Sequence, residues 1–135
     1  MKKSFCISIL IQMLVLIAAI GLWAGLCSAT EPSPLPEIPV KGKITMVDFG
    51  QSGCIGCMMQ APTIRSLEEK YRESDQVAII YVDITTHTGQ VTKYQLEEVP
   101  TQIFYDKDGN EVYRHKGIML KGSIVSRLTK IGARQ

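Results

Sequence analysis

The chain has 135 residues, 45% of them hydrophobic, and carries 15 Lys plus Arg against 13 Asp plus Glu for a formal net charge of +2. That length holds one domain of ordinary size. The small positive excess comes from Lys2 and Lys3 at the N-terminus. Without them the charges balance, which leaves no basic footprint for nucleic acid.

Lys2 and Lys3 precede Phe5 to Leu26, a run that is apolar except for Ser8 and Gln12, and Cys27-Ser28-Ala29 follows. Small residues there suit signal-peptidase cleavage after Ala29. The run is longer than the usual signal core of about 7–15 residues and reaches the roughly 20 that cross a bilayer. Residues 1–29 therefore read as a cleaved signal peptide or an uncleaved membrane anchor. In both cases the lysines hold the N-terminus in the cytoplasm and place the rest outside it, in a periplasm or other extracytoplasmic space. A lipid on Cys27 is disfavoured, because bulky Leu26 stands where a lipoprotein signal has a small residue. Cys6 belongs to the same leader.

Residues 30–42 contain Pro32, Pro34, Pro36 and Pro39 and read as a semi-rigid linker. Residues 43–135 are the expected domain, large enough to bury a core without disulfide staples. Ile44 to Phe49 is a strand by its β-branched and aromatic content. Ala61, Ile64, Leu67 and Tyr71 recur at three- and four-residue steps, so a helix runs from Cys57 to about Arg72. Pro62 is expected to kink it. Val77 to Val82 is a continuous apolar run, as in a strand covered on both faces. Thr88 to Glu98 predicts a short helix with Val91 and Tyr94 on its apolar side. Thr101 to Tyr105 and Glu111 to His115 predict a hairpin across Asp106-Lys107-Asp108-Gly109-Asn110. Ser123 is a candidate N-cap for a last helix with the stripe Ile124, Val125, Leu128 and Ile131. The order β-α-β-α-β-β-α predicts an α/β fold, a mixed central sheet with helices on both faces.

Cys54 and Cys57 lie between the first strand and the first helix. A Cys-x-x-Cys pair beside a βαβ pattern reads as a redox motif. The helix N-terminus offers partial positive charge and unpaired N–H groups to a thiolate. A thiol held there titrates between roughly 3.5 and 7.5 in place of about 8.5, and the thiolate is the attacking species in thiol–disulfide exchange. Two other uses of the pair stay open. A static disulfide is disfavoured because so short a loop removes little unfolded-state entropy. Half of a zinc site is disfavoured because His87 and His115 lack finger-like spacing. Met58 and Met59 read as core or groove filler. His87 reads as a solvated loop residue, and His115 as a strand-end residue without a role.

Val47-Asp48-Phe49, Cys54-x-x-Cys57, Pro62, Val99-Pro100-Thr101, the hairpin Phe104 to Val112 and the later Gly117 together resemble the thioredoxin family. The resemblance spans roughly residues 43–132, with the first strand and helix of full thioredoxin missing. It implies a thioredoxin-like fold and a thiol–disulfide oxidoreductase that reduces protein disulfides. Cys54 then resembles the nucleophile and Cys57 the resolving thiol. Asp48 resembles the buried carboxylate that moves the resolving thiol's proton. Pro100 resembles a cis-proline, with the Val99 backbone offered to an extended substrate segment, although spacing alone favours an ordinary trans proline at a strand start. Three positions depart from the family: Gly53 replaces Trp, Gly56 replaces the proline between the cysteines, and Ile79 replaces a lysine beside the Asp. The expected partners are protein thiols and disulfides, a membrane electron donor and the membrane itself through the N-terminal anchor. No cofactor or metal is expected, and the protein is expected to be a monomer. An oxidase or isomerase direction, and a binding or metal-handling module of the same fold, are the competing functions.

Overall fold

The computed structural model of the chain describes residues 34–134. The expected leader, with Cys6 and Cys27, lies outside the described residues. Strand β1 (Ile44–Gly50) is followed by helix α1 (Ile55–Tyr71), strand β2 (Val77–Asp83), the short helix α2 (Gly89–Lys93), strands β3 (Thr101–Tyr105) and β4 (Glu111–Lys116), and helix α3 (Lys121–Ile131). The four strands order as β2-β1-β3-β4. β1 runs parallel to β2 and antiparallel to β3, and β3 is antiparallel to β4. This is the mixed sheet and element order that the sequence predicts. Among the described residues, no helix is long and apolar enough to cross a membrane.

Alternation along the strands divides the core in two. Ile44 and Met46 of β1, Val77 of β2 and Phe104 of β3 join Ile64, Leu67 and Tyr71 of α1 and Ile124 and Leu128 of α3 on one face. Val47, Phe49, Ile80, Val82, Ile103 and Tyr105 fill the other face. β2 thus feeds apolar side chains to both faces, as its continuous run predicts, although it is an edge strand. β1 is buried over its whole length. Helix α1 is continuous through Pro62, whose missing N–H leaves the Met58 carbonyl without its helical donor.

Three local expectations change. Residues 34–42 act as more than a spacer: Leu35, Ile38 and Val40 pack on the second face of the sheet beside Tyr94 and Leu96. The Tyr94 hydroxyl donates to the Ile38 carbonyl at 3.3 Å, and the Val40 N–H donates to Thr45 Oγ1 at 3.0 Å. Apolar residues alternate with the prolines there, so the segment has side chains to bury. The helix predicted over 88–98 contracts to five residues, with Gln95 at φ +51 just beyond its end. Helix α3 starts at Lys121, earlier than the Ser123 cap implies, and its N-cap Leu120 makes no side-chain cap bond. The stripe of α3 stands: Ile124 and Leu128 are buried, with Val125 and Ile131 packed beside them. In the hairpin, Asp106 Oδ1 accepts from the N–H groups of Asp108 and Asn110 at 2.9 Å each, and Gly109 takes φ +86.

Candidate active site

The site forms where the C-terminal end of β1 meets the first turn of α1. Residues 51–53 make the bend between them, and Gly53 lies at φ +81. A side chain at that φ is strained, so glycine suits this bend. Ser52 Oγ donates to Asp83 Oδ2 at 3.1 Å, and Asp83 Oδ1 accepts from the Thr85 N–H and hydroxyl at 2.8 and 2.6 Å. The Thr85 hydrogen bonds and the Ser52 contact hold the Asp83 carboxyl below its usual range.

Cys54 is the N-cap of α1, and its sulfur accepts from the Cys57 N–H at 3.1 Å. One of the unpaired donors of the helix start is therefore aimed at sulfur. The two sulfurs are joined as a disulfide, with Cα atoms 5.2 Å apart. Cys54 is half-buried, while Cys57 is 5% exposed. Cys57, Gln60, Ile64, Leu67 and Tyr71 form the buried stripe of α1, so the second sulfur faces the core.

Asp48 lies two residues beyond Met46 on the same face of β1 and is 1% exposed. Its register partner across β3 is Gln102, which is fully buried. Gln102 Nε2 donates to Asp48 Oδ1 at 2.6 Å. Burial raises the Asp48 carboxyl from 3.8 to about 6; the Gln102 hydrogen bond opposes this, and the charge of Glu68 adds to it. Desolvation also raises Glu68, against a hydrogen bond from the Tyr81 backbone N–H. Tyr81 faces Asp48 in the β1–β2 register. Its phenol is raised by burial, then by Asp83 and Asp48. Tyr81 also lies over Gly50, where a Cβ would sit 2.9 Å from its ring and hydroxyl.

Across from the cysteines, the Val99–Pro100 peptide bond is cis. Cys54 Sγ lies 3.7 Å from the Val99 carbonyl oxygen. Pro100 is buried, and its Cδ lies 3.1 Å from where a Cβ on Gly56 would be. Gly56 therefore lets the first turn of α1 approach the proline ring. The segment between β4 and α3 closes this side. The Gly117 N–H donates to the Pro100 carbonyl at 2.7 Å. The Gln60 amide donates to the Met119 carbonyl at 3.1 Å and accepts from its N–H at 2.9 Å. His115 Nε2 lies 3.2 Å from the Ile118 carbonyl, so His115 holds this segment.

All five residues singled out from the sequence, Asp48, Cys54, Cys57, Val99 and Pro100, occupy this one end of the fold. The sequence reading missed Gln60 and Gln102. Gln102 had a signal: it is the one strongly polar residue in Thr101-Gln102-Ile103-Phe104-Tyr105, two positions after Pro100. Met58 and Met59 are 59% and 64% exposed rather than core filler. With Ile55, Ile118 and Leu120 they give an open apolar rim. His87 is half-buried in the loop after β2.

The sequence pattern of the thioredoxin-like domain matches residues 33–131. The chain belongs to the thioredoxin-like domain family. The chloroplastic thioredoxin-like protein HCF164 of Oryza sativa subsp. japonica is 29% identical over 102 residues, 76% of this chain and 36% of that protein. The thioredoxin of Chlamydia trachomatis serovar D is 31% identical over 87 residues, 64% of this chain and 81% of that one. The solved structure of Fasciola hepatica thioredoxin matches with a TM-score of 0.55 and 30% identity, over 67% of this chain and 82% of that one. This chain spans about a third of the length of the HCF164 proteins of rice and Arabidopsis thaliana.

Proposed function

We propose that this protein is a thiol–disulfide oxidoreductase that reduces protein disulfides outside the cytoplasm, with Cys54 as nucleophile and Cys57 as resolving thiol. The observation that carries the reading is the Cys54 sulfur capping α1 above a buried Cys57. In the dithiol form, the Cys57 N–H and the helix start favour a thiolate on Cys54. That thiolate attacks one sulfur of a substrate disulfide, and the other substrate sulfur leaves with the electron pair. The mixed disulfide is then attacked by Cys57. Its proton passes to the Asp48 carboxylate, a general base brought toward the working pH by burial. The second substrate sulfur leaves, and Cys54 and Cys57 are joined. Two electrons pass from the protein dithiol to the substrate.

The Val99 carbonyl beside Cys54 offers a backbone acceptor to an extended substrate segment. The apolar rim of Ile55, Met58, Met59, Ile118 and Leu120 gives its side chains a surface. Export and an N-terminal anchor rest on Lys2, Lys3 and the apolar run Phe5 to Leu26. A membrane electron donor would return the disulfide to the dithiol.

The test is reduction of insulin by the purified protein with a dithiol donor. Wild type is expected to turn over, Cys54→Ser to be inactive, and Cys57→Ser to accumulate a mixed disulfide. Wild type no faster than Cys54→Ser sinks the reading. An equilibrium potential near about −270 mV supports a reductant, and one near about −120 mV turns the direction to oxidation. N-terminal sequencing of the exported protein tests the leader.

A further inference from the structure

Inside the core, Gln102 presents a chemical puzzle. It is fully buried, and its two amide atoms have different fates. Nε2 donates to Asp48 Oδ1 at 2.6 Å, while Oε1 is buried without any hydrogen-bond partner. A buried acceptor left unmatched is costly, and an apolar residue would fit the first-face core without that cost. A carboxylate beside an apolar residue would lose its donor, however. A carboxylic acid needs the opposite, an acceptor for its O–H. An amide carries both groups on one planar end. A half-turn about its last side-chain bond exchanges them with almost no change of shape.

We propose that Gln102 is a positioning residue that serves Asp48 in both protonation states, donating from Nε2 to the carboxylate and, after a half-turn of the amide, accepting at Oε1 from the carboxylic acid. The orphaned oxygen is then the half of the amide that the protonated acid uses. This rests on the proposed role of Asp48 as the acceptor of the Cys57 proton. When Cys57 gives up its proton, the carboxylate becomes an acid in a closed interior. Its partner must change from donor to acceptor at that moment. A lysine, as found nearby in the family, matches the charged form alone. Ile79 at that place matches neither.

The groups that face Asp48 fit this reading. Glu68 comes from α1, whose buried stripe begins at Cys57, and Tyr81 comes from β2. The side chains that α3 buries, Ile124 and Leu128, are apolar. Glu68 adds negative charge, and the Tyr81 phenol is held neutral by the same surroundings. Gln102 is therefore the hydrogen-bonding partner of the carboxyl, and burial already brings both forms of Asp48 within reach near neutrality.

The experiment follows the Asp48 carboxyl carbon by NMR from pH 4 to 9 in the full disulfide form, with no substrate present. In wild type the Gln102 side-chain amide signals are expected to move with the Asp48 midpoint, because the N–H leaves the carboxylate as it protonates. In Gln102→Met, which keeps length and volume, both forms of Asp48 lose their partner, so the midpoint is expected to rise by less than about one pH unit, the excess of the charge-assisted bond over the neutral one. If that variant does not fold, Gln102→Glu keeps a polar chain of equal length, and two coupled carboxyl steps are expected in place of one. Amide signals that stay fixed through the Asp48 titration overturn the proposal. So does a Gln102→Met midpoint raised by well over about one pH unit, the mark of an amide that serves the carboxylate alone. Insulin reduction is measured separately, so an inactive wild type with the expected titration would remove the proposed function and leave the Gln102–Asp48 pairing in place.

Discussion

Replacing Asp48 by Asn should stabilise the protein near neutral pH, and by an amount that depends on pH in a fixed direction. Asn keeps the shape of Asp and still accepts from Gln102 through its amide oxygen, so the difference reports the charge. The folded carboxyl titrates at about 6 and the unfolded one at 3.8. Between these values the native state holds a proton that the unfolded chain has released, so stability falls as pH rises. The contribution of the protonated group is complete below about 3.8 and gone above about 6. At 1.36 kcal/mol per pH unit, the cost of the buried carboxylate above that window is about 3 kcal/mol. The group is 1% exposed, so solvent screening does little to reduce it. Urea unfolding of the disulfide forms at pH 4 and pH 8 checks this. Asp48→Asn should match wild type at pH 4 and exceed it by about 3 kcal/mol at pH 8, a rise in Tm on the order of 10 °C or more for a domain of this size. A gap that is flat with pH, or that widens toward acid, refutes the account of a carboxyl raised by burial. If Asp48 is the base proposed for Cys57, the same variant should also lose insulin reduction.

Gly56→Ala should destabilise the domain by about 1 kcal/mol, since the overpacking against the Pro100 ring exceeds the helix-propensity gain; an increase in urea midpoint would contradict the contact. Gln60→Leu removes both partners of the Met119 backbone and should cost about 2–4 kcal/mol in the same assay. A loss below about 0.5 kcal/mol would show that the segment before α3 does not depend on that amide. Ile38→Ser should cost about 1–3 kcal/mol, whereas a linker residue would cost nothing measurable.

The elements were legible because β1, α1, β2 and the β3–β4 hairpin each carry a pattern matched to their environment. Alternation or continuous apolar content marks the strands, and the steps through Ile64, Leu67 and Tyr71 mark α1. The cysteine pair and Asp48 were legible because residue type and position agree: a thiol at a helix start, a carboxylate in a strand otherwise suited to burial. The misses share a cause. Residues 34–42 were read from their prolines, but Leu35, Ile38 and Val40 decide where the segment lies. Gln60 lies on an apolar stripe, where three- and four-residue spacing shows that it faces inward but cannot show that a backbone segment from 59 residues away meets it. Gln102 pairs with Asp48 only through a register, and register is set by the hairpin and by β1 together.

The distribution of buried polar groups explains why the chemistry is confined to one end. On the first face of the sheet, the end around Ile44, Met46, Phe104, Leu67 and Leu128 is apolar. The other end, beneath the start of α1, holds Asp48, Gln60 and Gln102, each 1% exposed or less. A core built for stability alone would fill these positions with aliphatic side chains. Under the proposed function each of the three bears on a different part of the exchange. Asp48 is the proposed acceptor of the buried sulfur's proton. Gln102 matches Asp48. Gln60 fixes Met119 and so sets the neighbouring Ile118 beside Gly56 and Pro100. On that reading local stability is given up where a proton would move through a closed interior, and the apolar half of the same face supplies the rigidity that keeps those three side chains in place.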